Sequence, residues 1–95
     1  MKHLFKTLSI LLLLLFVHTH SFAADKITVA AAANLRYVLE ELKQQYVKSH
    51  KGTQIDIVFG ASGTLTQQIV NGANFDLFLA ANTNFPEEVI NQGFG

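Results

Sequence analysis

The chain has 95 residues, 49% of them hydrophobic, and its seven Lys and Arg residues balance seven Asp and Glu residues. It has no run of like charge, which argues against nucleic acid or an anionic membrane as a partner. It contains no Cys, and three of its four His residues, His3, His18 and His20, lie in the first 20 positions. Beyond them only His50 remains, so the usual ligand set of a zinc or copper site is missing and no disulfide can form.

The first 23 residues have the layout of a cleavable secretory signal peptide. Lys2 and Lys6 form a basic start, an apolar run of about ten residues extends over Leu8–Val17, and Ser21 and Ala23 are small residues suited to a cleavage site. The apolar run is too short for a permanent membrane span, and no Cys follows it for lipid attachment. We therefore expect cleavage after Ala23 and export to the periplasm. The remaining residues 24–95 carry five basic and seven acidic side chains, a net charge of −2.

Three β-rich segments alternate with three segments of helical apolar spacing. In chain order, the pattern predicts strands over residues 26–30, 54–59 and 75–80, and helices over residues 35–49, 62–70 and 86–93. Gly52 is expected to end the first helix in a left-handed conformation. The βαβαβα order predicts an α/β fold with a parallel sheet and helices on both faces. Three strands leave an open edge and 72 residues bury a marginal core, so residues 24–95 are expected to be the N-terminal part of a larger, truncated domain.

Two turns built from small residues follow the first and second predicted strands. They are Ala30–Asn34 and Gly60–Thr64, with Asn34 and Ser62 placed where helix caps are expected. Ligands of open parallel sheets bind beyond the carboxyl ends of the strands. Two helix N-termini meeting there would bind an anion through backbone N–H groups, without a charged side chain such as Arg36. Each turn alone could be purely structural, but the pair on one edge favours an oxyanion site at Asn34 and Ser62.

The second turn does not match two common catalytic motifs. Gly60–Thr64 has Thr where a nucleophile elbow has its second Gly, and no Lys follows Gly63 as a phosphate-binding P-loop requires. His50 lies at the end of the first predicted helix, where it is poorly placed to act as a base for Ser62. We therefore predict that the protein is not an enzyme.

Three strings resemble, in order and spacing, the family of periplasmic molybdate-binding proteins: ITVAAAANL at 27–35, FGASGTL at 59–65 and DLFLAA at 76–81. The resemblance, which covers essentially all of residues 24–95, implies the two-lobed class II periplasmic-binding-protein fold, here the first part of one lobe. It implies that molybdate or tungstate is held in the cleft by hydroxyls and backbone amides, with no cofactor and no metal ligand. It also implies delivery to an ABC permease in the inner membrane by a monomeric full-length protein. By position, Asn34 and Ser62 are the two anion-contacting residues of this half. Many members have Ser in place of Asn34, whose amide can also donate.

Two alternatives remain open at this point. The same fold could bind sulfate, which has the shape and charge of molybdate but is smaller, or phosphate, which benefits from a carboxylate acceptor that neither turn carries. A short secreted non-catalytic interaction module would explain the length of the chain but not the paired turns.

Overall fold

The structure is a computed structural model that describes residues 25–95. The predicted signal peptide and its cleavage position after Ala23 lie outside the described residues. Within the part that is described, no helix has the length and apolar character needed to cross a membrane.

Three strands and three α-helices alternate along the described chain, as predicted. They are β1 (Asp25–Ala32), α1 (Arg36–Ser49), β2 (Thr53–Gly60), α2 (Ser62–Val70), β3 (Leu77–Leu79) and α3 (Asn84–Asn91), with a 3₁₀ turn at Ala33–Leu35 between β1 and α1. The predicted end of α2 at Val70 is confirmed, whereas β3 is shorter than the predicted strand over residues 75–80.

The short β3 follows from the way Asp76 pairs with Thr28. The Thr28 N–H donates to the Asp76 carboxylate Oδ2 at 2.8 Å, and the Asp76 N–H donates to the Thr28 carbonyl at 2.8 Å. Because a side-chain oxygen takes the place of a backbone carbonyl here, the regular ladder begins one residue later, at Leu77.

The sheet is parallel, with the strand order β2-β1-β3. The chain passes from β1 to one neighbour and then crosses back over β1 to the other, which places α1 and α2 on opposite faces. Helix α3 lies on the same face as α2, where Val89 lines one groove with Ile69. Leu39 of α1 lines the same groove as Val29 and Ile57, while Leu65 of α2 lies against Gly60, where an added Cβ would be 3.3 Å from Leu65 Cδ2. The predicted α/β fold with helices on both faces is confirmed.

The core lies where β1 runs between the two helix layers. Four consecutive residues of this strand, from Val29 to Ala32, are buried, together with Leu65, Ile69 and Val89 from α2 and α3. Helix α1, in contrast, has no buried residue, and Leu42 and Tyr46 of its apolar stripe are 55% and 42% exposed. The assignment of residues 24–95 to a larger domain stays a prediction.

The predicted left-handed conformation of Gly52 is wrong. Among the described residues, positive φ angles occur at Gly72 and Gly93, at 103° and 87°. Helix α1 ends at His50, whose backbone N–H donates to the Tyr46 carbonyl at 3.0 Å and whose ring stacks on Tyr46 at 4.0 Å. The residue that follows α1 is therefore His50, at a φ of −129°, and its backbone and ring both contact Tyr46.

Candidate functional site

The two candidate turns lie side by side at the carboxyl edge of the sheet. Ala32 and Gly60, the last residues of β1 and β2, are paired with each other. Asn34 and Ser62 each follow two residues after this pair, so the register places them at matching positions. The turn after β3 lies on the other side of β1, since Leu79 pairs with Ala31. Three turns therefore meet at the edge where ligands of such sheets bind.

Ser62 is the first residue of α2 and is 7% exposed. The prediction that it caps α2 is wrong, because the cap position belongs to Ala61 and no side chain bonds there. With the helix starting one residue earlier than a Ser62 cap requires, the hydroxyl is free to bond elsewhere. Its Oγ accepts the backbone N–H of Ala81, in the turn after β3, at 2.9 Å. The start of α2 and the turn after β3 are thereby linked at the carboxyl edge of the sheet.

The bond from Ala81 limits which further hydrogen bonds the Ser62 hydroxyl can make. A hydroxyl has one O–H donor and two lone pairs, and one lone pair is used by Ala81. The proton therefore remains available to donate to a ligand. The first N–H groups of an α-helix also have no acceptor within the helix, so the start of α2 adds backbone donors beside the hydroxyl. Farther along, Thr66 Oγ1 donates to the Ser62 carbonyl at 2.8 Å and anchors this first turn.

Asn34 lies in the middle of the 3₁₀ turn and is exposed. The prediction that it caps the following helix is also wrong. The 3₁₀ turn moves the start of α1 to Arg36, its cap position belongs to Leu35, and no side chain bonds there. The Asn34 amide makes no hydrogen bond to another residue of 25–95, so it can donate to a ligand at this edge.

The charges near these turns are few. The guanidinium of Arg36 lies 4.4 Å from the centroid of the Phe59 ring and 3.5 Å from the Glu40 carboxylate. Farther back along β2, hydrogen bonds from Gln54 and Lys26 hold the pKa of Asp56 below its usual value. Neither turn contributes a charged side chain of its own, so an anion here would be held by neutral donors.

The structure offers no catalytic partner for Ser62 within the described range. His50 ends α1, just before β2 starts at Thr53, so it lies at the amino edge of the sheet while Ser62 lies at the carboxyl edge. Within residues 25–95, no group of three His, Asp or Glu side chains is placed to hold a metal ion.

Two features of this edge were missed by reasoning from the sequence. The Ala81 N–H contact to Ser62 involves a backbone group, so no side-chain pattern could reveal it. The stack of Arg36 on Phe59 could have been suspected, because Arg36 begins a helix and Phe59 is the residue before the last of the adjacent strand.

Comparison with known proteins shows which family the chain resembles over most of its length. The profile of the family described as bacterial extracellular solute-binding protein matches residues 27–95. The molybdate-binding protein of Azotobacter vinelandii is 36% identical over 70 residues, which are 74% of this chain and 27% of that protein. The molybdate-binding protein of Escherichia coli is 36% identical over 67 residues, 70% of this chain and 26% of that protein.

A solved structure, the periplasmic molybdate-binding protein of Azotobacter vinelandii, superposes with a TM-score of 0.66 and 39% sequence identity, over 70% of this chain and 29% of that one. The chain thus spans about a quarter of the length of the curated relatives that it matches. The matched residues 27–95 contain both turns, all three helices and the sheet apart from the first two residues of β1, and the predicted resemblance is confirmed. The chain belongs to the family of bacterial extracellular solute-binding proteins.

Proposed function

We propose that this protein binds molybdate, or tungstate, in the periplasm and delivers it to an ABC permease without chemical change. The observation that carries the proposal is the matched placement of Asn34 and Ser62, each two residues beyond a paired strand end. The names of the relatives support the choice of anion. Residues 24–95 would supply the first part of one lobe, and Asn34 and Ser62 would be its anion contacts.

The chemistry of the site suits a tetrahedral dianion. A hydrogen bond to a charged partner contributes about 1.5–3 kcal/mol, and several such bonds from neutral donors hold a dianion without a salt bridge. Ser62 would donate its hydroxyl proton and its backbone N–H, and Asn34 its amide. A carboxylate acceptor, which a protonated phosphate would favour, is absent from both turns. The remaining contacts would come from the rest of the full-length protein, which we expect to be a monomer.

The test is calorimetric titration of the full-length protein that contains this chain with molybdate, tungstate, sulfate and phosphate. A chimera that carries residues 25–95 in place of the matching segment of the Azotobacter vinelandii protein serves as a second format. We expect molybdate and tungstate to bind far more tightly than sulfate and phosphate. Preference for sulfate or phosphate would overturn the choice of anion, and no binding of any of the four in either format would overturn the proposal.

A further inference from the structure

Arg36 and Phe59 form a contact that joins the two candidate turns. Arg36 is the first residue of α1, two positions after Asn34, and Phe59 lies in β2, three positions before Ser62. The guanidinium lies over the ring at 4.4 Å from its centroid. This side-chain contact adds to the backbone pairing of β1 and β2 in connecting the segment that carries Asn34 to the segment that carries Ser62.

The position of Arg36 is electrostatically unfavourable for the helix. The N-terminus of a helix carries partial positive charge, and α1 has no acidic residue in its first turn to offset the guanidinium. Glu40 lies 3.5 Å away, but both side chains are more than half exposed, at 59% and 55%. Such surface ion pairs contribute little. The stack on Phe59 is the contact that best explains where the guanidinium is held.

From this contact we infer that Arg36 is a positioning residue for the anion site. The inference rests on the proposed function. The pairing of β1 with β2 sets the spacing of the two strand ends. The guanidinium, by stacking on Phe59, holds the start of α1 against β2 and does not itself touch the anion. For tight binding, each donor must be held within about half an ångström of the position from which it bonds the anion. Loss of the Arg36–Phe59 contact would let these positions vary and would weaken binding. An exposed cation–π contact is strong enough to change the Kd by roughly two- to fivefold.

The test is a double-mutant cycle on molybdate binding, with Arg36→Ala, Phe59→Leu and the double variant in the full-length protein or the chimera. We expect each single change to raise the Kd about two- to fivefold through faster dissociation, and the double change to be no worse than the weaker-binding single variant. Phe59→Tyr keeps an aromatic face and should restore the parent Kd. If Phe59 has a purely structural role, Phe59→Leu should lower the melting temperature. Its effect on the Kd should then be independent of the effect of Arg36→Ala, and that result would overturn the inference.

Other results would overturn the inference. If Arg36→Ala slows association only, and the effect disappears in about 1 M salt, Arg36 attracts the anion through its charge and does not position the turns. If Arg36→Ala binds like the parent, the contact has no role in binding; this comparison holds even if Phe59→Leu fails to fold. If the parent binds molybdate and Ser62→Ala weakens binding while the cycle shows no coupling, only this inference fails. If the parent binds no oxyanion, the proposed function itself fails.

Discussion

Replacing Ser62 with Ala removes one donor from the proposed anion site and one acceptor from the turn after β3. The lost hydrogen bond to the anion would be worth about 1.5–3 kcal/mol. At about 1.4 kcal/mol per tenfold change, the affinity for molybdate should fall roughly 10- to 150-fold. The backbone donors at the start of α2 remain in the variant, so binding should be weakened and not abolished.

The same substitution also leaves the Ala81 N–H without its acceptor. That bond is only partly buried, so the cost should lie near the low end of the range for a lost partner, about 1 kcal/mol. In a full-length protein about as long as the relatives, roughly 260 residues because 70 residues are 27% of one of them, this lowers the melting temperature by about 2–4 °C. Loss of a helix cap adds nothing to this figure, because the Ser62 side chain does not cap α2.

Two measurements separate these effects. Melting without ligand reports the Ala81 contact, whereas the further rise in melting temperature with molybdate reports the site. Thr64→Ala is the matched control, since Thr64 is an exposed hydroxyl residue in the first turn of the same helix; it should change neither quantity. If Ser62→Ala binds molybdate as tightly as the parent, the Ser62 hydroxyl is not an anion donor and the site proposed here is wrong.

Three further predictions concern Asn34, export and the isolated chain. By calorimetry, Asn34→Ala should lose about as much affinity for molybdate as Ser62→Ala does. Asn34→Ser should keep most of the affinity, because a hydroxyl donor replaces the amide. Equal affinities of the two Asn34 variants would contradict this prediction. N-terminal sequencing of exported protein should begin at Ala24-Asp25, and finding Met1 would contradict the signal peptide. Residues 24–95 alone should fold poorly and self-associate, because Leu42, Tyr46 and Leu77 are 55%, 42% and 49% exposed and β3 is an open edge. Well-dispersed amide NMR signals from a monomer at high concentration would contradict the proposal that residues 24–95 are part of a larger domain.

The sequence was sufficient to predict the order of elements and the edge that carries the site. Apolar alternation in β2, with Ile55 and Ile57 on one side, and the helical spacing of α1 are strong local signals, and the small residues around Ser62 marked the turn. The bonds made by Ser62 and Asp76 were not predictable in this way. Both depend on partners that only the folded sheet brings close, Ala81 from 19 residues away and Thr28 from 48 residues away.

Helix ends were predicted less well for a related reason. Gly52 fits the usual signal for a left-handed helix end, but His50 takes the position that follows α1, and the positive φ angles of the described residues occur at Gly72 and Gly93. Asn34 and Ser62 fit the usual signal for helix caps, but each helix starts one residue or more away from the position that capping requires. A residue type that is common at helix caps therefore predicts that a turn is present. It does not predict which residue takes the cap position, because that depends on the backbone conformation of the turn.

The bond from the Ala81 N–H to Ser62 also has a consequence for the order in which the site is assembled. A chain is synthesised from its N-terminus, so Asn34 and Ser62 both precede the residue that orients the Ser62 hydroxyl. Nineteen residues separate Ser62 from Ala81, and β3 must join β1 before the two can meet. The first two turns can therefore form as a pair during synthesis, but the hydroxyl reaches its final direction only after the third strand is in place.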